Sequence, residues 1–196
     1  MKDTVDQHQI HAAAGVTWPV AGALLQYGLL LDPGLRDVHA VGTSLRWSPW
    51  GDVLLAASVT LEGDHPRPRL APSWRLPVHP HVWLHPGASL QVDGSDALGT
   101  GRVTVTVHGS PGAVWLGGMG GRERRPALLD VPVIFNLAED LRYGVWLGGH
   151  LALPRGLGLL ASYELYGLEP ADPAAPLAQA HYVSVGLQWT RGDHGR

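Results

Sequence analysis

Residues 143–167 read YGVWLGGHLALPRGLGLLASYELYG. Two alternating runs meet at Pro154-Arg155-Gly156, where proline and glycine mark a turn. Side chains two apart on a strand share a face. One face therefore carries Tyr143, Val145 and Leu147, then Leu157, Leu159, Ala161, Tyr163 and Leu165. The other carries Arg142, Gly144, Trp146, Gly148, His150 and Ala152, then Gly158, Leu160, Ser162, Glu164 and Tyr166. Within the quoted stretch only Arg155 and Glu164 are Arg, Lys, Asp or Glu. A strand pair with one face in water carries charge on that face. Here one face carries none and the other only Arg142, Glu164 and His150 as ionisable groups, so the apolar row is expected to meet lipid and the small, semi-polar row a crowded lumen.

The same period of two recurs along most of the chain, and the 3.6-residue period of amphipathic helices is nearly absent. Apolar rows run through 53–61, 103–107, 129–137 and 141–147, and again through His181, Val183, Val185, Leu187 and Trp189. The apolar run at 10–31 has the length of a membrane helix. Trp18-Pro19, Gln26 and His11 interrupt it, and both halves alternate, which predicts two strands turning near Ala21-Gly22. Longer Pro/Gly-rich connections are expected at 62–72, 93–102, 119–126 and 168–178. The total is ten or eleven strands, many of 10–13 residues. Globular strands average about five or six residues, whereas tilted bilayer-spanning strands need roughly 9–11. No composition shift divides the chain, so 1–196 is expected to be a single domain with a polar segment at 1–9 and a tail at 191–196. The opening MKDTVDQHQ lacks the basic region of a secretory leader, and no signal peptide is expected in this chain.

Through LRYGVWLGGHLALPRGLGLLASYELYG and the terminal AHYVSVGLQWTRG, and more loosely through 36–62, the chain resembles the small outer-membrane β-barrels of didermic bacteria. The resemblance implies an all-β fold, an antiparallel up-and-down β-barrel of 8–12 strands crossing the bacterial outer membrane. It implies membrane lipid as the surrounding partner and other envelope proteins as docking partners. The implied role is structural, accessory or that of a narrow pore. The chain departs from the pattern at its end, where TRGDHGR follows Trp189 instead of an aromatic terminus. The tryptophans, Trp18, Trp47, Trp50, Trp74, Trp83, Trp115, Trp146 and Trp189, are expected mainly near strand ends, as in interfacial belts.

Composition excludes other classes. The formal charge is −3, with 16% charged residues against the usual ~25%. No basic stripe exists to neutralise phosphates, so nucleic acid is not an expected partner. GRERRP at 121–126 reads as a solvated loop. There is no cysteine, and with it no thiolate chemistry.

Two groups of residues could carry chemistry. His79, His81 and His85 share strand parity, and neutral imidazoles ligate zinc or copper. On an ideal strand, however, His85 stands about 13 Å from His81, and no carboxylate closes the sphere, so a water-facing segment near a rim is the default. His150, Ser162 and Glu164 share the lumen face of the hairpin. Histidine could take the serine proton while the carboxylate orients the imidazole, which gives an alternative reading as a barrel enzyme hydrolysing lipid acyl chains. Without catalysis the same face becomes a lumen polar network of Arg142, His150, Glu164, Tyr166 and Gln188, in which Glu164 is expected to pair with Arg142 or another arginine. HGS at 108–110 sits at a turn, as do Glu139-Asp140, and RGD at 191–193 is a tail tripeptide. A soluble lipocalin-like binding protein is a further alternative. No cofactor is expected.

Overall fold

A computed structural model describes residues 8–31, 38–48, 51–124, 127–128, 133–134, 140–170 and 176–189. The strands are β1 (His8–Trp18), β2 (Ala21–Leu31), β3 (Val38–Trp47), β4 (Asp52–Glu62), β5 (His65–His79), β6 (Val82–Asp93), β7 (Asp96–Gly109) and β8 (Gly112–Arg124). They continue as β9 (Ala127–Leu128), β10 (Val133–Ile134), β11 (Asp140–Ala152), β12 (Leu157–Glu169) and β13 (Ala178–Trp189). All except β9 and β10 join one eleven-stranded sheet in chain order, each strand antiparallel to the next. Two-residue turns at Gly63-Asp64 and Gly94-Ser95 need positive φ, which glycine supplies at +56° and +61°. Among the described residues no helix is long and apolar enough to cross a membrane.

The sheet is not closed into the expected barrel. β1 and β13 are both edges. Eleven antiparallel strands leave these edges running in the same direction, so a direct pairing between them would break the up-and-down pattern. Among the described residues neither edge pairs with a further strand: residues 10–20 are exposed throughout, and Val183, Val185 and Leu187 are 75%, 72% and 78% exposed. The sheet nevertheless curls, because Leu54 of β4 and Leu160 of β12 line one cavity of about 620 Å³.

Three local expectations are corrected. The segments 62–72, 93–102 and 119–126 are largely strand, not connections. Prolines hid the first. Pro66, Pro68 and Pro72 share parity, so their missing N–H groups all point to one neighbouring strand. The ladder from β5 to β4 is continuous between Arg75 and His65, while that to β6 is interrupted, so the loss falls on one seam. The single strand expected at 129–137 is replaced, where residues are described, by Val133–Ile134 folding back on Ala127–Leu128. The first turn lies at Pro19-Val20, with Trp18 opposite Ala21, and β1 already includes His8 and Gln9 of the segment read as polar. Glu139, the RGD tripeptide and the tail at 191–196 lie outside the described residues.

The distribution of polarity is inverted relative to a water-soluble sheet. The buried set includes Ser58, Thr60, Arg67, Ser89, Gln91, Thr100, Glu123 and Asp140, alongside a few apolar residues such as Leu30, Val38, Ala40, Leu141 and Leu168. Large apolar residues stand exposed on every strand of the sheet, Val16, Leu25, Val41, Leu55, Leu70, Leu90, Val103, Leu116, Leu147, Leu157 and Val183 among them. Trp18, Trp47 and Trp74 form an exposed row near one end of β1, β3 and β5. Toward the other end the outer face carries tyrosine–histidine pairs: Tyr27 with His39 at 2.8 Å and Tyr163 with His181 at 2.7 Å.

Candidate functional site

The inner face of the curled sheet is built from glycine and aromatic residues in exchanged positions. On β8 and β11, Trp115 opposes Gly148 and Trp146 opposes Gly117. Each ring lies over the glycine across from it. A Cβ on Gly117 would stand 2.2 Å from the Trp146 Nε1, and one on Gly148 would stand 2.4 Å from the Trp115 ring. The Trp146 indole N–H donates to Thr104 Oγ1 at 3.1 Å, which ties β11 to β7 across β8. Tyr166 covers Gly144 in the same way. These rings line the 620 Å³ cavity together with hydroxyl- and cation-bearing residues, Ser73, His85, Arg102 and Thr104.

One end of this interior is filled by ion pairs. Arg67 bridges Glu62 at 2.8 Å and Asp93 at 3.1 Å. Arg124 bridges Asp93 at 2.9 Å, Asp140 at 2.9 Å and Asp96 at 3.6 Å, and Arg122 reaches Asp140 at 2.5 Å. Gln91, fully buried, holds the Arg124 backbone from both sides: its amide donates to the carbonyl at 2.9 Å and accepts from the N–H at 2.8 Å. Arg69 reaches across to Glu123 at 3.1 Å, and Glu123 also accepts from Ser89 and, at 3.3 Å, from Thr100. Glu123 is 0% exposed, and among the described residues its Oε2 has no hydrogen-bond partner. Arg69, Ser89 and Thr100 also line the cavity, so this network is its floor. A smaller cluster occupies the opposite end, where Asp52 takes Arg46 at 2.8 Å, Ser48 at 2.5 Å and Arg75 at 3.6 Å.

The residues singled out from sequence fall in several places. His150, Ser162 and Glu164 do share the inner face, with His150 opposite Leu160 and Gly148 opposite Ser162. The His150 ring, however, leans over Gly158, where a Cβ would meet its Nε2 at 2.9 Å. That direction leads away from Ser162, and among the described residues no hydrogen bond joins the two. Glu164 Oε2 accepts from the Tyr166 hydroxyl at 2.7 Å. The relay of carboxylate, imidazole and hydroxyl is therefore not assembled. The expected pairing of Glu164 with Arg142 is replaced by Arg142 with Glu169 at 3.0 Å, because a bulge between Leu141 and Tyr143 shifts the parity of Arg142. Tyr166 is buried, whereas Gln188 is exposed on β13.

His79 and His81 do not share a strand with His85. His79 ends β5, Pro80-His81 form the turn, and His85 lies on β6 facing Thr106 Oγ1 at 3.4 Å. The rings of His79 and His81 are 5.9 Å apart and exposed at the rim. Among the described residues no group of three or more His, Asp or Glu could hold a metal ion.

The floor network is what sequence reading missed. Arg122, Glu123 and Arg124 belong to the GRERRP stretch read as a loop, and Arg67 and Arg69 to a stretch read as a connection. Their signal was parity: Arg67, Arg69, Ala71 and Ser73 alternate with Pro66, Pro68, Leu70 and Pro72. No protein-family model, curated protein or solved structure matches the chain.

Proposed function

We propose that the protein is a non-catalytic β-sheet protein of a bacterial outer membrane, with a structural or accessory role and an interior filled at one end. The observation that carries this reading is the inverted polarity. Charged and hydroxyl side chains are buried inside the curl, and Val, Leu and aromatic side chains stand exposed on the outer face of the sheet. Exposed apolar area on this scale is unstable in water and stable against lipid tails. The outer aromatics support the same reading. His39 and Trp47 are eight residues apart on β3, roughly 26 Å along the strand. At a tilt of about 40° this gives about 20 Å along the membrane normal, close to the ~25 Å apolar band between aromatic girdles of outer-membrane barrels.

Several features favour a filled interior over an open pore. The ion pairs of Arg67, Arg69 and Arg124 occupy the inner face at one end, and aromatic rings pave the middle. In a bilayer the edges of β1 and β13 must be covered, since unpaired backbone groups in hydrocarbon cost several kcal/mol each. The test is partitioning. After lysis the protein is expected in the membrane fraction, resistant to high salt and carbonate and released by detergent. Recovery in buffer without detergent rejects the reading. Purified protein in planar bilayers is expected to show no conductance steps.

A further inference from the structure

We propose that the inner cavity binds a neutral hexopyranoside. The inference rests on the interior alone and does not depend on what surrounds the outer face. The cavity volume of about 620 Å³ falls within the roughly 300–1,000 Å³ of small-molecule sites. Three of its lining side chains are gathered around one short stretch of β11. Trp115 reaches over from β8 and packs against Gly148, where a Cβ would stand 2.4 Å from its ring. Ser162 of β12 stands directly across from that same Gly148, so it borders the indole. Glu164, two residues further along the same inner row and about 7 Å from Ser162, stands across from Trp146. All three line the cavity, as do Leu160 and Met119. An indole face is electrically negative, and it attracts the polarised C–H hydrogens on the flat side of a pyranose ring.

The polar groups left open around that ring suit hydroxyls. Among the described residues the Ser162 hydroxyl makes no hydrogen bond, and it is not one of the unpartnered atoms sealed from solvent. Glu164 Oε2 accepts the Tyr166 hydroxyl at 2.7 Å, and its Oε1 has no donor among the described residues. A carboxylate oxygen only accepts, so it selects a ligand that brings O–H groups. The charges select against an ion. Arg69 is held by Glu123 at 3.1 Å, and the Arg102 side chain is engaged and lies over Gly87. An anion would find no available cation and would face the Glu164 carboxylate. A cation would meet Glu164 together with the field of two arginines. A planar hydrocarbon would cover the indole and leave Glu164 Oε1 without a donor, an unmade bond in a site closed to water. A pyranose, with C–H groups on its faces and hydroxyls around its rim, satisfies both surfaces.

The experiment is saturation-transfer difference NMR on the purified full chain, in buffer or a sugar-free detergent, with a protein-free blank. The probes are the methyl β-pyranosides of glucose and galactose, the matching methyl uronides as anions, and tetrahydropyran as the bare ring. Saturable binding of at least one neutral glycoside is expected, tighter than that of its own uronide, with no saturable signal from tetrahydropyran. Glu164→Gln should weaken the neutral glycoside about tenfold, the worth of a hydrogen bond to a charged group, and remove the discrimination against the uronide. Trp115→Leu should weaken glycoside and uronide alike. Absence of saturable binding of both neutral glycosides to the wild-type protein overturns the proposal. So does a uronide or tetrahydropyran that binds as tightly as the neutral glycoside, and these comparisons require no variant to fold. Unchanged affinity in a folded Glu164→Gln protein overturns it as well.

Discussion

The Trp146 indole lies against the backbone of Gly117, so close that a Cβ there would stand 2.2 Å from its Nε1. Gly117 is therefore a seat for an aromatic ring, and valine would evict the ring despite its higher strand propensity. Gly117→Val is expected to destabilise by about 1–3 kcal/mol, the usual range for overpacking. Gly120→Val, three residues along the same strand where an added Cβ meets nothing within 4 Å, should be neutral or stabilising. Urea unfolding followed by circular dichroism separates the two. Equal effects would deny Gly117 its role as a seat.

Glu123 and Arg69 form the most deeply buried ion pair described, with side-chain exposures of 0% and 9%. Removing one partner strands a buried charge, which typically costs about 3–5 kcal/mol, whereas replacing both with apolar residues is often neutral. Glu123→Ala alone should lower stability by that amount. The double variant Glu123→Leu with Arg69→Met should recover most of the loss. A double variant as unstable as the sum of the singles would show that the pair does not act as a unit.

The edges of β1 and β13 lack neighbours, so alternate N–H groups along each have no partner in the sheet. For the purified chain outside a bilayer, hydrogen exchange read by mass spectrometry should find peptides covering 10–18 and 178–189 exchanging far faster than those of β6, β7 and β8. Equal protection would mean that something covers both edges.

Val103 is 46% exposed near the middle of β7, in the centre of the outer apolar row. If that row faces lipid, Val103→Arg should cost about 2–4 kcal/mol on folding into vesicles, the range for a midplane arginine on a barrel's lipid face. In water the same exposed substitution should change stability by less than about 0.5 kcal/mol. Folding yield in vesicles against wild type distinguishes the outcomes.

The period-two pattern by itself determined that the chain is all-β, antiparallel and up-and-down. It also determined which row of 143–167 points outward, because parity is local and survives any tertiary arrangement. Val145, Leu147 and Tyr163 stand outside, and Trp146, Ser162 and Glu164 inside, as the alternation required. Pattern could not decide β5 or the end of β8, because proline and glycine read as punctuation when seen one at a time. Only pairing reveals that Pro66, Pro68 and Pro72 turn their missing donors to one seam, and that Gly117 and Gly148 sit opposite tryptophans. Nor could it supply partners. A bulge at Leu141–Tyr143 sends Arg142 to Glu169, while Glu164 finds the Tyr166 hydroxyl two residues away. Arg69 and Glu123 are fifty-four residues apart and meet because the sheet curls. Curvature, bulges and edge closure sum small twists over many strands, and no window of sequence contains that sum.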